Sequence, residues 1–245
     1  MKYICQQLSG SRSYGLDIPT SDYDRKGVFV STSIDEIIGI NRFDHKVFKD
    51  EGIDYTYYEL RQFLRHLKKS NTTSIEILFD DKFQFRSNEW DLILKYKYQL
   101  LDSASTFKCL MGYLKGERDL FTGRRTGDYG SKRRLSIEAN GYSEKNFIHA
   151  VRLAWSGIMF FNQGVFPVYM PDFNISLCSY LLNVRQNPKN YDKAVLSNEL
   201  DGWESSLKIA FENRKHNYVF DENCANNICL EIYYPILSDL RYPIK

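Results

Sequence analysis

Two short segments near the N-terminus carry residues that could do chemistry. Gly10 and Ser11 follow an apolar stretch, and a glycine lets the backbone approach a ligand closely. A helix that begins at Ser11 would offer free N–H groups to a phosphate. Asp22 and Asp24 flank Tyr23; if Tyr23 lies on a strand, the two carboxylates share one face, about 7 Å apart, where they can converge on divalent cations. A phosphate site beside paired carboxylates suits metal-dependent phosphoryl or nucleotidyl transfer.

Each of these features is common by itself, because Gly-Ser is a frequent turn and Asp-x-Asp occurs by chance in many proteins. Their order and spacing carry more information than either alone. Ser11 and Asp22 are eleven positions apart.

The elements that would position these residues are short strands and one amphipathic helix in the first 85 or so residues. Apolar residues from Tyr57 to Leu67 recur at helical spacing. Turn-forming residues separate the β-rich stretches, which are Tyr3–Leu8, Gly27–Val30, His45–Lys49 and Ile53–Tyr57.

From about Ser87 the pattern becomes helical. Two helices are predicted to begin near Asn88 and Ser105, and four more are predicted over 143–164, 174–186, 191–213 and 221–233. The glycines at positions 123, 127, 130 and 141 predict a loop over 120–142. We therefore expect an α+β protein with a small mixed-sheet domain over 1–86 and a mainly α-helical domain over 87–245.

Composition narrows the class of protein. The 245 residues carry a net charge of +2 and 43% hydrophobic residues, so a packed core is expected and disorder is not. No stretch is apolar enough to span a membrane, and the first residues are too polar for a signal peptide. The five cysteines lack the spacing of a zinc site. We expect a cytoplasmic protein that does not bind membranes.

The motif Gly10-Ser11, Gly15, Ser21-Asp22-x-Asp24 resembles the signature of the DNA polymerase β-like nucleotidyltransferase superfamily. Its longer form, which continues to Val30, resembles the RNA-repair-associated branch (RlaP-like or YcgL-like predicted nucleotidyltransferases). Further segments over 53–64, 71–79, 107–113 and 145–152 are similar to the same branch, so the resemblance covers about 3–165. Lys26 and Thr72 replace an arginine and a proline common in that branch, and neither is a metal ligand there.

The resemblance implies a role for each matching position. Asp22 and Asp24 would bind two Mg²⁺ ions, with Mn²⁺ as a substitute, and Asp54 would be the third catalytic carboxylate. Residue alternation supports Asp54, although Asp50 and Glu51 lie nearby. The nucleoside triphosphate would be bound by seven residues, with the β- and γ-phosphates at the first two: Gly10, Ser11, Arg12, Ser21, Lys145, His149 and Arg152.

A basic segment over 108–134 has eight basic and three acidic residues. Basic side chains with an aromatic suit an RNA backbone and an exposed base, although such a segment can also be a solvated loop. The candidate RNA-binding residues are Arg124, Arg125, Lys132, Arg133 and Arg134.

Three functions stay open at this point. The first is Mg²⁺-dependent transfer of a nucleoside monophosphate from a nucleoside triphosphate to an RNA or tRNA end, in RNA repair or modification. The second is the same chemistry on a protein or a small molecule. The third is nucleotide or RNA binding without catalysis, against which three intact carboxylates argue, because they repel phosphate unless a metal is bound.

Overall fold

The computed structural model describes residues 1–40, 43–125 and 131–239. They form two compact units, of which the first comprises 1–102 and the C-terminal segment from Tyr218, and the second comprises 103–217. The predicted domains, 1–86 and 87–245, have a different boundary, and the prediction does not place the C-terminal segment with the first unit. The two predicted loop glycines Gly127 and Gly130 lie outside the described residues.

The first unit contains a five-stranded mixed sheet, which confirms the predicted α+β class. The strand order is β3-β4-β2-β1-β5; β2 and β4 pair in parallel, and the other neighbours are antiparallel. The strands are β1 (Lys2–Ser9), β2 (Asp24–Val30), β3 (His45–Asp50), β4 (Ile53–Glu59) and β5 (Phe83–Arg86).

Helices of both units follow in chain order. Those before residue 103 are α1 (Ser11–Tyr14), α2 (Ile34–Ile38), α3 (Leu60–Lys68), α4 (Thr72–Phe79) and α5 (Asn88–Lys95), with a 3₁₀ turn at Lys97–Leu100. The later ones are α6 (Ser103–Thr122), α7 (Lys132–Asn140), α8 (Glu144–Gln163), α9 (Ile175–Gln186), α10 (Lys193–Glu212) and α11 (Glu222–Asp239), with 3₁₀ turns at Met170–Asp172 and Pro188–Asn190. Among the described residues, no helix has the length and apolar character needed to cross a membrane.

The boundary between β4 and α3 is set by Glu59. The helix was expected to include Tyr57, but that residue belongs to β4 and the helix begins at Leu60. The Glu59 side chain accepts a hydrogen bond from the backbone N–H of Arg61 at 2.9 Å, so it caps the helix and ends the strand at the same residue.

Helices α5 and α11 belong to the first unit, and each contributes one aromatic side chain to its interior. Trp90 of α5 is fully buried and packs its ring against Phe63 of α3. Tyr233 of α11 donates a hydrogen bond to the buried carboxylate of Glu59. The sequence indicates that these segments are helical, but helical periodicity does not say against which element a helix packs.

The second unit is a helical bundle in which α6, α8 and α10 pack together. Gly157 of α8 permits the close approach, because a Cβ there would lie 2.5 Å from a Leu110 methyl and 2.8 Å from a Leu207 methyl. The prediction of a loop over 120–142 is wrong at Lys132–Asn140, which form the helix α7. Ser131 caps the start of that helix by accepting a hydrogen bond from Arg134 N–H, and Gly141, at φ 77°, ends it.

Gly27 of β2 is a point at which no side chain fits. A Cβ there would overlap the backbone oxygen of Cys5 and lie 2.8 Å from the Tyr57 ring. We expect Gly27→Ala to lower the free energy of unfolding by about 1–3 kcal/mol, because the strands must separate to admit the methyl group. Urea denaturation measures this. The control Gly112→Ala, in α6, meets nothing within 4 Å and should raise stability by about 0.5–1 kcal/mol. A Gly27 variant as stable as the native protein contradicts the close packing.

Candidate functional site

Three strands bring the first candidate residues together at one edge of the sheet. Asp24 begins β2, and its register partners are Ser9 on β1 and Asp54 on β4. Partners on neighbouring strands point to the same face, with the strands about 4.8 Å apart. The fold thus places two of the three predicted catalytic carboxylates on adjacent central strands and on one face.

The remaining predicted carboxylate, Asp22, lies before the start of β2. Tyr23 was considered as a strand residue, but β2 begins only at Asp24. The ladder nevertheless reaches one residue further, because Asp54 N–H donates to the carbonyl of Tyr23 at 3.0 Å. Asp22 therefore belongs to the segment that leads into β2, and its position depends on what holds that segment.

The turn between β1 and α1 approaches the carboxylate of Asp24 closely. Gly10 has φ +67°, and a Cβ at this position would lie 2.7 Å from Asp24 Oδ2. Both the positive φ and the space require glycine. The next residue, Ser11, begins the single turn of α1 and accepts a backbone hydrogen bond from Leu16. The Gly10-Ser11 pair is thus a tight turn against the candidate metal ligand.

Arg12 and Ser21, also predicted to bind nucleotide, contact the segment that carries Asp22. The guanidinium of Arg12 donates to the backbone oxygens of Ser21 and Asp22. The Ser21 hydroxyl accepts a hydrogen bond from Ile18 N–H at 2.9 Å and closes a turn.

The donor set at this edge of the sheet suits Mg²⁺, because carboxylate oxygens are its preferred protein ligands. The side chains are not gathered around one point. Asp54 Oδ1 lies 3.3 Å from the ammonium of Lys49, its register partner on β3. Among the described residues, no group of three or more His, Cys, Asp or Glu side chains is arranged to hold a metal ion. The predicted metal site at Asp22, Asp24 and Asp54 thus has its ligands on adjacent elements and stays a prediction.

The remaining nucleotide-binding candidates lie on α8 in the second unit. Lys145, His149 and Arg152 follow one another at helical spacing, but their environments differ: Lys145 is exposed, His149 is half-buried, and Arg152 is fully buried. His149 places its ring 6.4 Å from that of Tyr113. These residues are therefore not a uniform solvated stripe.

Glu117 of α6 is a residue that the sequence reasoning missed. Burial raises the pKa of its carboxyl, and the hydrogen bond from Asn146 and the charges of Arg133, Arg152 and Lys145 partly offset this increase. Asn146 Nδ2 donates to Glu117 at 2.6 Å, and Arg133 Nε donates to Asn146 at 3.2 Å. Residues from two predicted basic sets thus lie around one partly buried carboxylate.

A signal for Glu117 was present in the sequence. Leu110, Leu114, Glu117 and Phe121 have the spacing of one helix face, and the three apolar members are buried. A glutamate in such a stripe indicates a buried charge with specific partners.

Most of the predicted RNA-binding side chains have partners within the second unit. Arg124 lies 3.5 Å from Asp119, Arg134 lies 3.0 Å from Glu138, and Arg133 contacts Asn146. Arg125 donates its backbone N–H to Asp119, and Lys132 begins α7 with an exposed side chain. The local excess of positive charge is therefore smaller than a count over 108–134 suggests.

The mixed sheet thus holds the glycine turn at Gly10 against Asp24, with Asp54 beside it on the neighbouring strand. Residues 2–195 of the chain match the RNA repair pathway DNA polymerase beta family, RlaP. The chain belongs to this family, as the resemblance of its motifs predicts. It is also similar to a Methanocaldococcus jannaschii protein named "Uncharacterized protein MJ0002", at 25% identity over 201 residues, which cover 76% of this chain and 74% of the relative.

Two buried acidic residues, Glu76 and Asp80, lie on α4 and at its C-terminal cap. Tyr14 OH donates to the buried Glu76 at 2.9 Å. At the end of the same helix, burial raises the pKa of the Asp80 carboxyl from 3.8 to about 6; Asp81 and Glu76 raise it further, and the Lys82 N–H lowers it.

We expect Asp80→Asn to stabilise the protein at pH 7 by about 1–3 kcal/mol. Because the folded pKa is the higher one, the unfolded chain loses its proton first, so ionisation costs stability as pH rises from about 4 to 6. Urea denaturation at several pH values should show the difference between variant and native protein vanishing below pH 4. The exposed neighbour Asp81 is the control, and Asp81→Asn should change stability little. A stabilisation by Asp80→Asn that is independent of pH contradicts the assignment.

Proposed function

We propose that the protein is a Mg²⁺-dependent nucleotidyltransferase that moves a nucleoside monophosphate from a nucleoside triphosphate to an acceptor hydroxyl at an RNA or tRNA end. The observation that carries this proposal is the register of the central strands, which puts Asp24 beside Asp54 with Gly10 against Asp24. Membership of the RNA repair pathway DNA polymerase beta family supports the same chemistry.

Asp22, Asp24 and Asp54 would hold the metal. A bound Mg²⁺ supplies neutralisation of the triphosphate charge and a lowered pKa for the acceptor hydroxyl. The protein contributes orientation: the central strands fix Asp24 and Asp54, and the turn at Gly10 and Ser11 would bind the β- and γ-phosphates. The ammonium of Lys49, beside Asp54 Oδ1, would compete with a cation for this carboxylate.

The nature of the acceptor depends on residues outside the sheet. The family description refers to RNA repair, and Lys132 and Lys145 are exposed basic side chains of the second unit that could contact an RNA backbone. Lys145, His149 and Arg152 stay predicted nucleotide-binding residues of the second unit.

A second candidate function, nucleotidyl transfer to a protein or small molecule, is favoured by the ion pairs of the basic segment. Arg118 contacts Asp201 at 2.5 Å, and Arg124 and Arg134 have acidic partners of their own. Side chains that are already paired contribute less to RNA affinity, because a phosphate must displace the carboxylate.

Transfer of label tests the function directly. The protein is incubated with each α-labelled nucleoside triphosphate, Mg²⁺ and a cell lysate, and the RNA, protein and small-molecule fractions are counted. We expect label in RNA. Asp22→Asn, Asp24→Asn and Asp54→Asn should each lower the transfer by about 100-fold or more, because each removes a carboxylate that would bind the metal.

Asp50→Asn is the matched control, because Asp50 lies at the end of β3 in the same hairpin as Asp54. This variant should transfer label at the native rate. Label in the protein fraction favours the second candidate function. Absence of label from every fraction, or transfer that survives Asp24→Asn, refutes the enzymatic proposal and favours a non-catalytic nucleotide-binding role.

The ion pair between Lys49 and Asp54 gives a further prediction. Both side chains are more than half exposed, so the pair is weak, but its ammonium competes with a metal for the carboxylate. We expect Lys49→Gln to bind Mn²⁺ about two- to five-fold more tightly than the native protein in electron paramagnetic resonance titrations.

Lys46→Gln is the control for charge, because Lys46 is on the same strand but on the opposite face, over the Phe48 ring. It should leave Mn²⁺ affinity close to the native value. Equal gains in the two variants would mean that only net charge matters and that Asp54 is not a ligand.

A further inference from the structure

Arg12 contacts four residues of the segment that leads into β2. Its Nη1 lies 3.1 Å from Asp17 Oδ2, its Nη2 donates to the Ser21 carbonyl at 2.9 Å, and its Nε donates to the Asp22 carbonyl at 3.3 Å. The guanidinium also stacks on the Tyr23 ring, with Cζ 3.6 Å from the ring centroid. One side chain of α1 thus engages most of the segment that carries Asp22.

The segment over 16–23 contains no helix or strand, so its conformation depends on individual hydrogen bonds. Ile18 and Ser21 close a turn, in which Ser21 N–H donates to the Ile18 carbonyl at 2.8 Å and Ile18 N–H donates to the Ser21 hydroxyl. This turn orders the middle of the segment. Arg12 then ties the backbone at Asp22 to α1, which directly follows the Gly10 turn.

The chemistry of arginine suits this role better than lysine would. The guanidinium is planar and rigid, so it can donate in three directions in its plane while its face packs on an aromatic ring. A guanidinium that binds phosphate directs several of its five N–H groups at the phosphate. Three of the Arg12 groups are directed instead at Asp17 and at two backbone carbonyls, and the side chain is only 17% exposed.

The geometry points to Arg12 as a positioning residue that holds Asp22 in place for the metal, and not as a ligand of the triphosphate. This inference rests on the proposed function, because it assigns Asp22 to a metal site. It differs from the role that the motif predicts for Arg12. The Tyr23 ring, half-exposed beside Asp22, is part of the same clamp.

Two variants distinguish positioning from phosphate binding. Arg12→Lys keeps the charge but loses the planar set of donors. Asp17→Asn weakens one contact of Arg12 without changing Arg12 itself. Mn²⁺ alone, titrated by electron paramagnetic resonance, reports on the metal site without any phosphate. Inorganic triphosphate with Mg²⁺, titrated by calorimetry, reports on the phosphate site.

If Arg12 positions Asp22, Arg12→Lys should weaken Mn²⁺ binding by about 10-fold and Asp17→Asn by about three-fold, since both loosen the same segment. Asp17→Asn should also weaken binding of the triphosphate. If Arg12 binds phosphate, Mn²⁺ affinity stays at the native value, and Asp17→Asn strengthens triphosphate binding because it releases the guanidinium from its carboxylate partner.

Arg65→Lys is the matched control. Arg65 makes a similar contact to an aspartate, with Nη2 2.9 Å from Asp44, but lies on α3. It should leave Mn²⁺ affinity unchanged. Thermal unfolding of each variant reports on folding, and if Arg12→Lys does not fold, Asp17→Asn carries the test.

The outcomes separate the two proposals. Native protein that binds no Mn²⁺ and transfers no label overturns the proposed function and this inference with it. Native protein that binds Mn²⁺, with Asp17→Asn binding it equally well, overturns the inference alone. A parallel loss of Mn²⁺ and triphosphate affinity in Asp17→Asn supports it.

Discussion

The parallel pairing of β2 with β4 is the constraint on which the candidate site depends. It sets Asp24 opposite Asp54, and a slip of one residue would turn one of the two carboxylates to the other face. The opposite face of the sheet holds this register. There Gly27 admits the Tyr57 ring, and Phe48 stacks on Tyr55 with ring centroids 4.7 Å apart. Aromatic packing on one face thus determines which carboxylates meet on the other.

The two carboxylates at the ends of β4 show how position changes the role of one chemical group. Asp54, at the start, is half-exposed and beside an exposed ammonium, so a cation can compete for it. Glu59, at the end, is fully buried and bonded to Arg61 and to Tyr233 of α11. The first is available for chemistry. The second joins the last helix to the sheet, and its removal would leave buried partners without an acceptor.

The basic side chains that cluster along the sequence over 108–134 lie close to acidic side chains in the folded second unit. The basic segment over 108–134 draws acidic partners from elsewhere in the second unit, such as Asp201 and Glu138. Arg133 approaches the partly buried Glu117 through Asn146. Side chains that look like a phosphate-binding cluster in the sequence thus largely contact acidic and amide groups of the second unit.

Local motifs and residue periodicity predict the family, the α+β class, four of the five strands and most of the later helices. The spacing around Tyr23 also predicts the pair Asp22 and Asp24, and the family resemblance, supported by residue alternation, predicts Asp54. They do not show that Arg12 contacts the segment carrying Asp22, that Lys49 forms an ion pair with Asp54, or that α11 packs in the first unit. Those contacts join residues on different elements, and only the tertiary structure decides them, since periodicity describes which face of an element is buried but not what covers it.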